Sequence, residues 1–184
     1  MSDLSLFLGQ FIRRPGEIRA IAPTARATAR EMARPVQPSM RRVAEIGAGT
    51  GTITRAILDT GLPPDRLDIY ELNPAFCARL RHLFPRSPVH NRPAQAMAED
   101  GPFDAVVSGV PVLALPDPLQ AEIIGAAFAA MRRGAPFVQI TYGPTPPISD
   151  RVRAQFGLSF TRSRRIWANL PPAQVYVFRQ GGGC

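Results

Sequence analysis

Residues 43–51 read Val-Ala-Glu-Ile-Gly-Ala-Gly-Thr-Gly, and 26 positions after Glu45 a second apolar run ends at Glu71. Strand, glycine-rich loop, helix, strand and carboxylate follow in that order, which constrains the fold more than any other feature of the chain. Glycines let the backbone turn tightly and pass close to a ligand where any Cβ would collide. An acidic residue ending the next strand can accept both hydroxyls of a ribose, so the pair points to a nucleotide-like ligand on a parallel sheet. The spacing of Gly47, Ala48, Gly49, Thr50 and Gly51 is more compact than the dinucleotide fingerprint. With Glu45 ahead of it, the loop suits a ligand carrying an amino-acid moiety instead of a pyrophosphate.

The length of 184 residues fits one α/β domain with a sizeable core. A hydrophobic share of 45% against 20% charged residues argues for a folded chain. The net charge of +8 rests on 22 arginines and no lysine, which excludes a lysine Schiff base. Such a balance admits two polyanionic partners, nucleic acid and an anionic membrane surface. Cys77 and Cys184 are the only cysteines and give neither a structural disulfide nor a zinc spacing. No apolar run reaches the length of a membrane span, and the N-terminus lacks signal-peptide character. A cytoplasmic location is expected, peripheral to the inner face of the membrane.

Leu4, Phe7, Leu8, Phe11 and Ile12 recur on one face of a predicted helix over 3–12, beside Arg13, Arg14 and Arg19. A second helix is expected over 24–34, with Ala25, Ala29, Met32 and Ala33 inward and Arg26, Arg30 and Arg34 outward. Residues 1–36 are therefore read as a helical docking or lid segment, and 37–184 as the ligand-binding domain. The core alternates strand 42–46, helix 52–60, strand 67–71, helix 74–84, a short strand 88–91, strand 103–108, helix 118–131 and strand 137–141. Gly134 is expected to cap the long helix. A short helix at 149–155 precedes strands 158–167 and 175–179. Strict alternation with a terminal hairpin predicts a Rossmann-like, seven-stranded, mostly parallel sheet with helices on both faces and one antiparallel strand at or near an edge.

With these residues assembled, the chain resembles the class I S-adenosylmethionine-dependent methyltransferases, in particular the bacterial phospholipid N-methyltransferases. The resemblance runs through Glu45 to Gly51, Tyr70-Glu71-Leu72-Asn73-Pro74 and residues 103–111 ending Ser108-Gly109-Val110-Pro111. It continues in Gln139-Ile140-Thr141-Tyr142-Gly143-Pro144 and in Trp167-Ala168-Asn169-Leu170-Pro171-Pro172-Ala173. It implies S-adenosyl-L-methionine as cofactor, S-adenosyl-L-homocysteine as product and the amine of phosphatidylethanolamine and its methylated derivatives as acceptor. Glu45, Gly47, Ala48, Gly49, Thr50 and Gly51 would hold the methionine and ribose region, Glu71 the ribose hydroxyls, and Leu72 and Ser108 are further cofactor contacts. Ser108, Gly109 and Tyr142 would form the reaction pocket. Many enzymes of this class hold the adenine with a carboxylate after the third strand. Here the chain reads His90-Asn91-Arg92-Pro93-Ala94, which leaves backbone near Arg92 and Ala94, or Asn91, for that task.

Blander roles stand beside these. Glu71 can serve only to cap the next helix, Tyr142 can serve only to pack, and Trp167 on a strand is more often core than part of a cation pocket. Asn169 suits a residue that fixes a proline loop, and His82 and His90 suit surface or loop positions. An anionic membrane, met through the N-terminal helix and arginines, is favoured over nucleic acid. Two other functions remain open: an RNA adenine N6-methyltransferase and a non-catalytic S-adenosylmethionine-binding membrane adaptor. The first usually closes strand four with an aromatic for the flipped base, and Val112 stands there instead.

Overall fold

The computed structural model describes residues 25–181. The expected amphipathic helix over 3–12 and its arginines, as well as Cys184, lie outside the described residues.

Parallel strands buried on both faces are mostly apolar, and the four central strands are so despite a few buried polar residues. These are β1 (Val43–Ile46), β2 (Leu67–Tyr70), β4 (Ala105–Ser108) and β5 (Phe137–Thr141), every residue of which is buried. With β3 (Val89–His90), β6 (Leu158–Arg162) and β7 (Gln174–Gln180) they form one sheet of order β3-β2-β1-β4-β5-β7-β6. All neighbours pair in parallel except at β7, which runs antiparallel to both β5 and β6. The expected antiparallel strand is thus one place in from the edge.

Helices cover both faces. On one side α1 (Arg26–Ala33), α2 (Thr52–Leu58) and α3 (Pro74–Leu83) bury Ala29, Met32, Ile53, Ile57 and Leu80 against Val43, Ile69 and Val107. On the other, α4 (Asp117–Ala130) and α5 (Asp150–Gln155) bury Ile123, Ile124, Ala127 and Val152 against Val106, Phe137 and Phe178. Arg26, Arg30 and Arg34 face solvent as their spacing predicts, and Ala29, Met32 and Ala33 face the core. Among the described residues no helix is long and apolar enough to cross a membrane.

Two expectations are corrected. Gly134 does not cap α4: the helix stops at Ala130 because Met131 turns extended and bridges to Phe103, leaving Gly134 at φ +75° in the turn before β5. Strand 158–167 is shorter than predicted, because Ser163 folds back on Val175, its N–H donating to the carbonyl at 2.8 Å and its Oγ accepting from the amide at 3.1 Å. The chain then loops outward, and Trp167 is 74% exposed instead of buried in a strand.

Candidate active site

The order of the strands reverses between β1 and β4, and ligands of open α/β sheets bind beyond the strand carboxyl ends at that switch point. The loop after β1 and the exit of β4 meet there. Gly47, Gly49 and Gly51 all adopt positive φ, at 71°, 53° and 86°. A Cβ on Gly109 would lie 2.6 Å from the carbonyl oxygen of Gly47, and one on Gly47 would lie 2.9 Å from Val110 Cγ2. Gly49 is different, since nothing lies within 4 Å of its Cβ position.

Two buried carboxyl groups flank this loop. Glu71 accepts from the Gly49 amide at 2.9 Å with one oxygen and from the Asn73 amide at 2.8 Å with the other. It therefore pins the loop, and the cap of α3 is Asn73, whose Oδ1 accepts from Ala75 at 2.9 Å and Phe76 at 3.4 Å. Glu45 accepts from Thr54 Oγ1 at 2.6 Å with one oxygen, while Oε1 is buried without a hydrogen-bond partner. Removal from water pushes its carboxyl up to about 8; the Thr54 bond opposes this and the Glu71 charge adds to it. A buried lone oxygen of this kind, beside a glycine loop, is suited to accept from a cationic ammonium. The residues present thus fit S-adenosylmethionine, with two buried carboxyl groups at either end of a close-packed turn.

The β2 exit is stiffened from behind. Asp68 takes Arg42 at 2.8 Å and His90 at 2.9 Å, and His90 stacks on Tyr70 with centroids 4.7 Å apart. Asp100 accepts from Tyr70 OH at 2.7 Å and pairs with Arg92; partial burial raises its carboxyl, but the Tyr70 bond and then the Arg92 charge outweigh this and hold it below the usual range. Asn91 Nδ2 donates to the carbonyls of Glu71 at 3.0 Å and Leu72 at 2.9 Å. The side chains of Asn91 and Arg92 are therefore occupied with structure. Ala94 opens a 3₁₀ turn, Ala94–Glu99.

At the reaction end, Ser108 closes β4 with a buried Oγ that has no partner. Gln139 stands beside it in register and donates to the Val110 carbonyl at 2.7 Å, which fixes the Gly109–Val110 exit. Gln139 has no role assigned from the sequence beyond its place in the 139–144 stretch, although a glutamine inside an apolar strand is itself a signal. Tyr142 is partly buried against the α1–α3 side of the core, and the two exits touch through Leu113, 3.0 Å from the Cβ position of Gly143. His82 is exposed, and Cys77 is a buried free thiol on α3. A groove beside Thr50 and Gly51 is lined by Arg26, Arg30, Arg55 and Arg79, with Asp59 the one carboxylate among its lining residues.

Sheet order, glycine turn and paired carboxyl groups define a class I S-adenosylmethionine-dependent methyltransferase. No family model matches the sequence. The chain is 32% identical over 192 aligned residues, 97% of its own length and 97% of the relative's, to an ornithine lipid N-methyltransferase of Singulisphaera acidiphila. It belongs to the bacterial lipid N-methyltransferase family. Among solved structures it is similar in fold to the 1,6-didemethyltoxoflavin N1-methyltransferase of Burkholderia thailandensis, with TM-score 0.72, 15% identity and coverage of 96% of this chain and 88% of that one. NodS, an N-methyltransferase of Bradyrhizobium japonicum, gives TM-score 0.66 at 16% identity, covering 87% and 98%.

Proposed function

We propose that this enzyme methylates the primary amine of phosphatidylethanolamine and its mono- and dimethyl derivatives at a membrane surface, leading to phosphatidylcholine. When bound, S-adenosylmethionine supplies an electrophilic methyl group on a sulfonium that is already a good leaving group. Glu45 and the glycine loop hold its amino-acid end, Glu71 its ribose, and the backbone near Leu72, Arg92 and Ala94 its base.

The observation that carries the amine reading is the chemistry of the two strand exits. Residues 108–114 and 141–144 contain Ser108, Thr141 and Tyr142 but no Asp, Glu, His, Lys or Cys. Without a strong base, the pocket suits an acceptor that is nucleophilic once neutral. An amine with pKa near 10 costs roughly 4 kcal/mol to deprotonate at about pH 7. Apolar surroundings at the strand exits, next to a sulfonium, disfavour a second cation and lower that cost. The lone pair then attacks the methyl carbon in line as the carbon–sulfur bond breaks, and the proton given up beforehand goes to solvent. Ser108 and Gly109 leave room for the headgroup, and the Tyr142 ring receives the methylated ammonium by cation–π attraction.

The 32% identical ornithine lipid N-methyltransferase supports a second acceptor, ornithine lipid. The two lipids share a primary amine near an acidic group, so one pocket can serve either. Peripheral attachment through the N-terminal segment, here residues 1–36, and the exposed arginines is part of the same reading.

Radiolabelled cofactor incubated with vesicles of phosphatidylethanolamine, of ornithine lipid, and with total RNA separates the alternatives. Label in mono- to trimethylated phosphatidylethanolamine is the expected result. Label in ornithine lipid alone replaces the acceptor, label in RNA alone overturns the lipid reading, and cofactor binding without any labelled product supports an adaptor.

A further inference from the structure

Trp167 and Leu170 are 74% and 84% exposed, well beyond any other large apolar side chain among the described residues. A single exposed apolar residue needs no explanation, but a Trp and a Leu three positions apart on one loop do. The loop over 163–173 leaves β6 at Arg162 and enters β7 at Gln174, the register partner of Thr141 at the carboxyl end of β5. Because β6 runs parallel to β5, the loop stands at the same edge of the sheet as the glycine turn and the β4 exit.

Its base is fixed. Ile166 and Ala173 bridge through reciprocal amide–carbonyl bonds of 2.7 and 3.2 Å. Asn169, 2% exposed, donates to the Pro171 carbonyl at 2.8 Å and accepts from the Ala25 amide at 2.8 Å and Thr28 Oγ1 at 3.1 Å. The two apolar tips are thus held outward by a buried polar anchor between them.

Charge selects the occupant. Arg162 at the end of β6 and Arg164 and Arg165 on the loop are exposed, and the Arg165 guanidinium lies 5.8 Å from the Trp167 ring. Residues 151–184 hold six arginines and no carboxylate side chain. Tryptophan and arginine together also suit single-stranded nucleic acid, but Leu170 offers no ring on which a base stacks. An amphipathic Trp, an aliphatic tip and a collar of arginines match the interfacial layer of an anionic bilayer.

We infer that the 163–173 loop is a membrane-insertion element: Trp167 and Leu170 enter the interfacial layer of an anionic bilayer while Arg162, Arg164 and Arg165 meet lipid phosphates. Docked in this way, the carboxyl edge of the sheet faces the surface in which the acceptor lies. This rests on the lipid-methylating reading for its purpose but not for its test.

Trp167 is the only tryptophan of the chain, so its emission reports the loop alone. The full chain is titrated with phosphatidylcholine vesicles with and without phosphatidylglycerol, with nitroxide-labelled lipids as quenchers, and with RNA. The expected result is a blue shift and quenching with the anionic vesicles only. Leu170→Ser should weaken vesicle binding on the order of tenfold, and Arg164→Gln with Arg165→Gln roughly thirtyfold. Both variants should keep wild-type methylation of a monomeric short-chain lipid acceptor, which excludes misfolding. Vesicle binding with unchanged Trp167 emission overturns the inference, as does a shift produced by RNA and not by vesicles. If emission shifts but no lipid is methylated, the insertion stands and the substrate reading falls. Lipid methylation without the shift sinks the insertion and leaves the substrate reading standing.

Discussion

Gly109 and Gly47 touch so closely that no side chain fits between the loops they belong to. A Cβ at Gly109 would stand 2.6 Å from the Gly47 carbonyl oxygen, and neither atom is the end of a flexible chain. Gly109→Ala must therefore push the β4 exit away from the glycine turn, at about 1–3 kcal/mol. We expect a lower melting temperature together with at least tenfold weaker S-adenosylmethionine binding by titration. Gly49→Ala is the contrast. Open space surrounds its Cβ position at φ +53°, so it should cost about 1–2 kcal/mol of backbone strain. Any loss of binding beyond that strain would show ligand passing over Gly49.

Glu45 makes cofactor binding depend on pH. Its folded carboxyl is pushed up to about 8, above the ordinary value of 4.5, chiefly by burial. Its contribution to stability is therefore fully present below the ordinary carboxylate range. It is lost as pH rises through about 8, because the unfolded chain ionises first. Glu45→Gln should melt higher than wild type at the alkaline end of that window. A cationic ammonium beside Oε1 favours the ionised form, so binding displaces the proton. Affinity for S-adenosylmethionine should climb with pH toward about 8 in wild type, until the ligand's own α-amino group with its pKa of about 7.7–8.0 loses its proton, and Glu45→Gln should lack that climb. Calorimetry in buffers of different ionisation enthalpy should detect released protons from wild type only.

Asn169 reaches across the chain to α1. Replacing it by Ala leaves the Ala25 amide, the Thr28 hydroxyl and the Pro171 carbonyl without their partner. Leaving such buried groups unpaired costs about 2–3 kcal/mol, or roughly 4–12 °C in melting temperature. Asn169→Asp keeps both accepted bonds and should lose less. Equal losses in the two variants would assign the anchor to Pro171 alone.

Strands buried on both faces were legible because they are mostly apolar runs, as in Phe137–Thr141, whose bounds match the sequence reading although Gln139 and Thr141 are polar. The acidic pair was legible because Glu45 and Glu71 interrupt or end such runs. What escaped was set by contacts distant in sequence. The end of α4 is decided by Phe103, 28 positions before Met131, and the outward turn before Trp167 by the Ser163–Val175 bonds. No local periodicity carries either. Gln139 escaped for another reason: its donor bond to Val110 exists only once β4 and β5 lie side by side.

Tyr176 lies in one row with Ser108 and Gln139 across β4, β5 and β7, and all three carry a buried oxygen without a partner. Tyr176→Phe removes one such group without changing shape. Its melting temperature should equal or exceed that of wild type, by up to about 1 kcal/mol. A loss of more than about 1 kcal/mol would instead place a bound water in that row, since only a hydrogen-bonded hydroxyl is costly to delete.

Tyr142 separates orientation by a hydroxyl from attraction by a ring. If the ring holds the methylated ammonium, Tyr142→Phe keeps the face and should retain most activity, within about fivefold for a lost neutral hydrogen bond. Tyr142→Ala removes the face, whose attraction for a desolvated cation is on the order of 1–2 kcal/mol. That loss bears most on acceptors that already carry methyl groups, because the quaternising step must retain a bulky cation at the pocket. The expected outcome is a shift of Tyr142→Ala products toward the monomethyl lipid, read by chromatography of labelled lipids after equal total turnover. A uniform fall in all three products would assign Tyr142 to packing of the β5 exit instead.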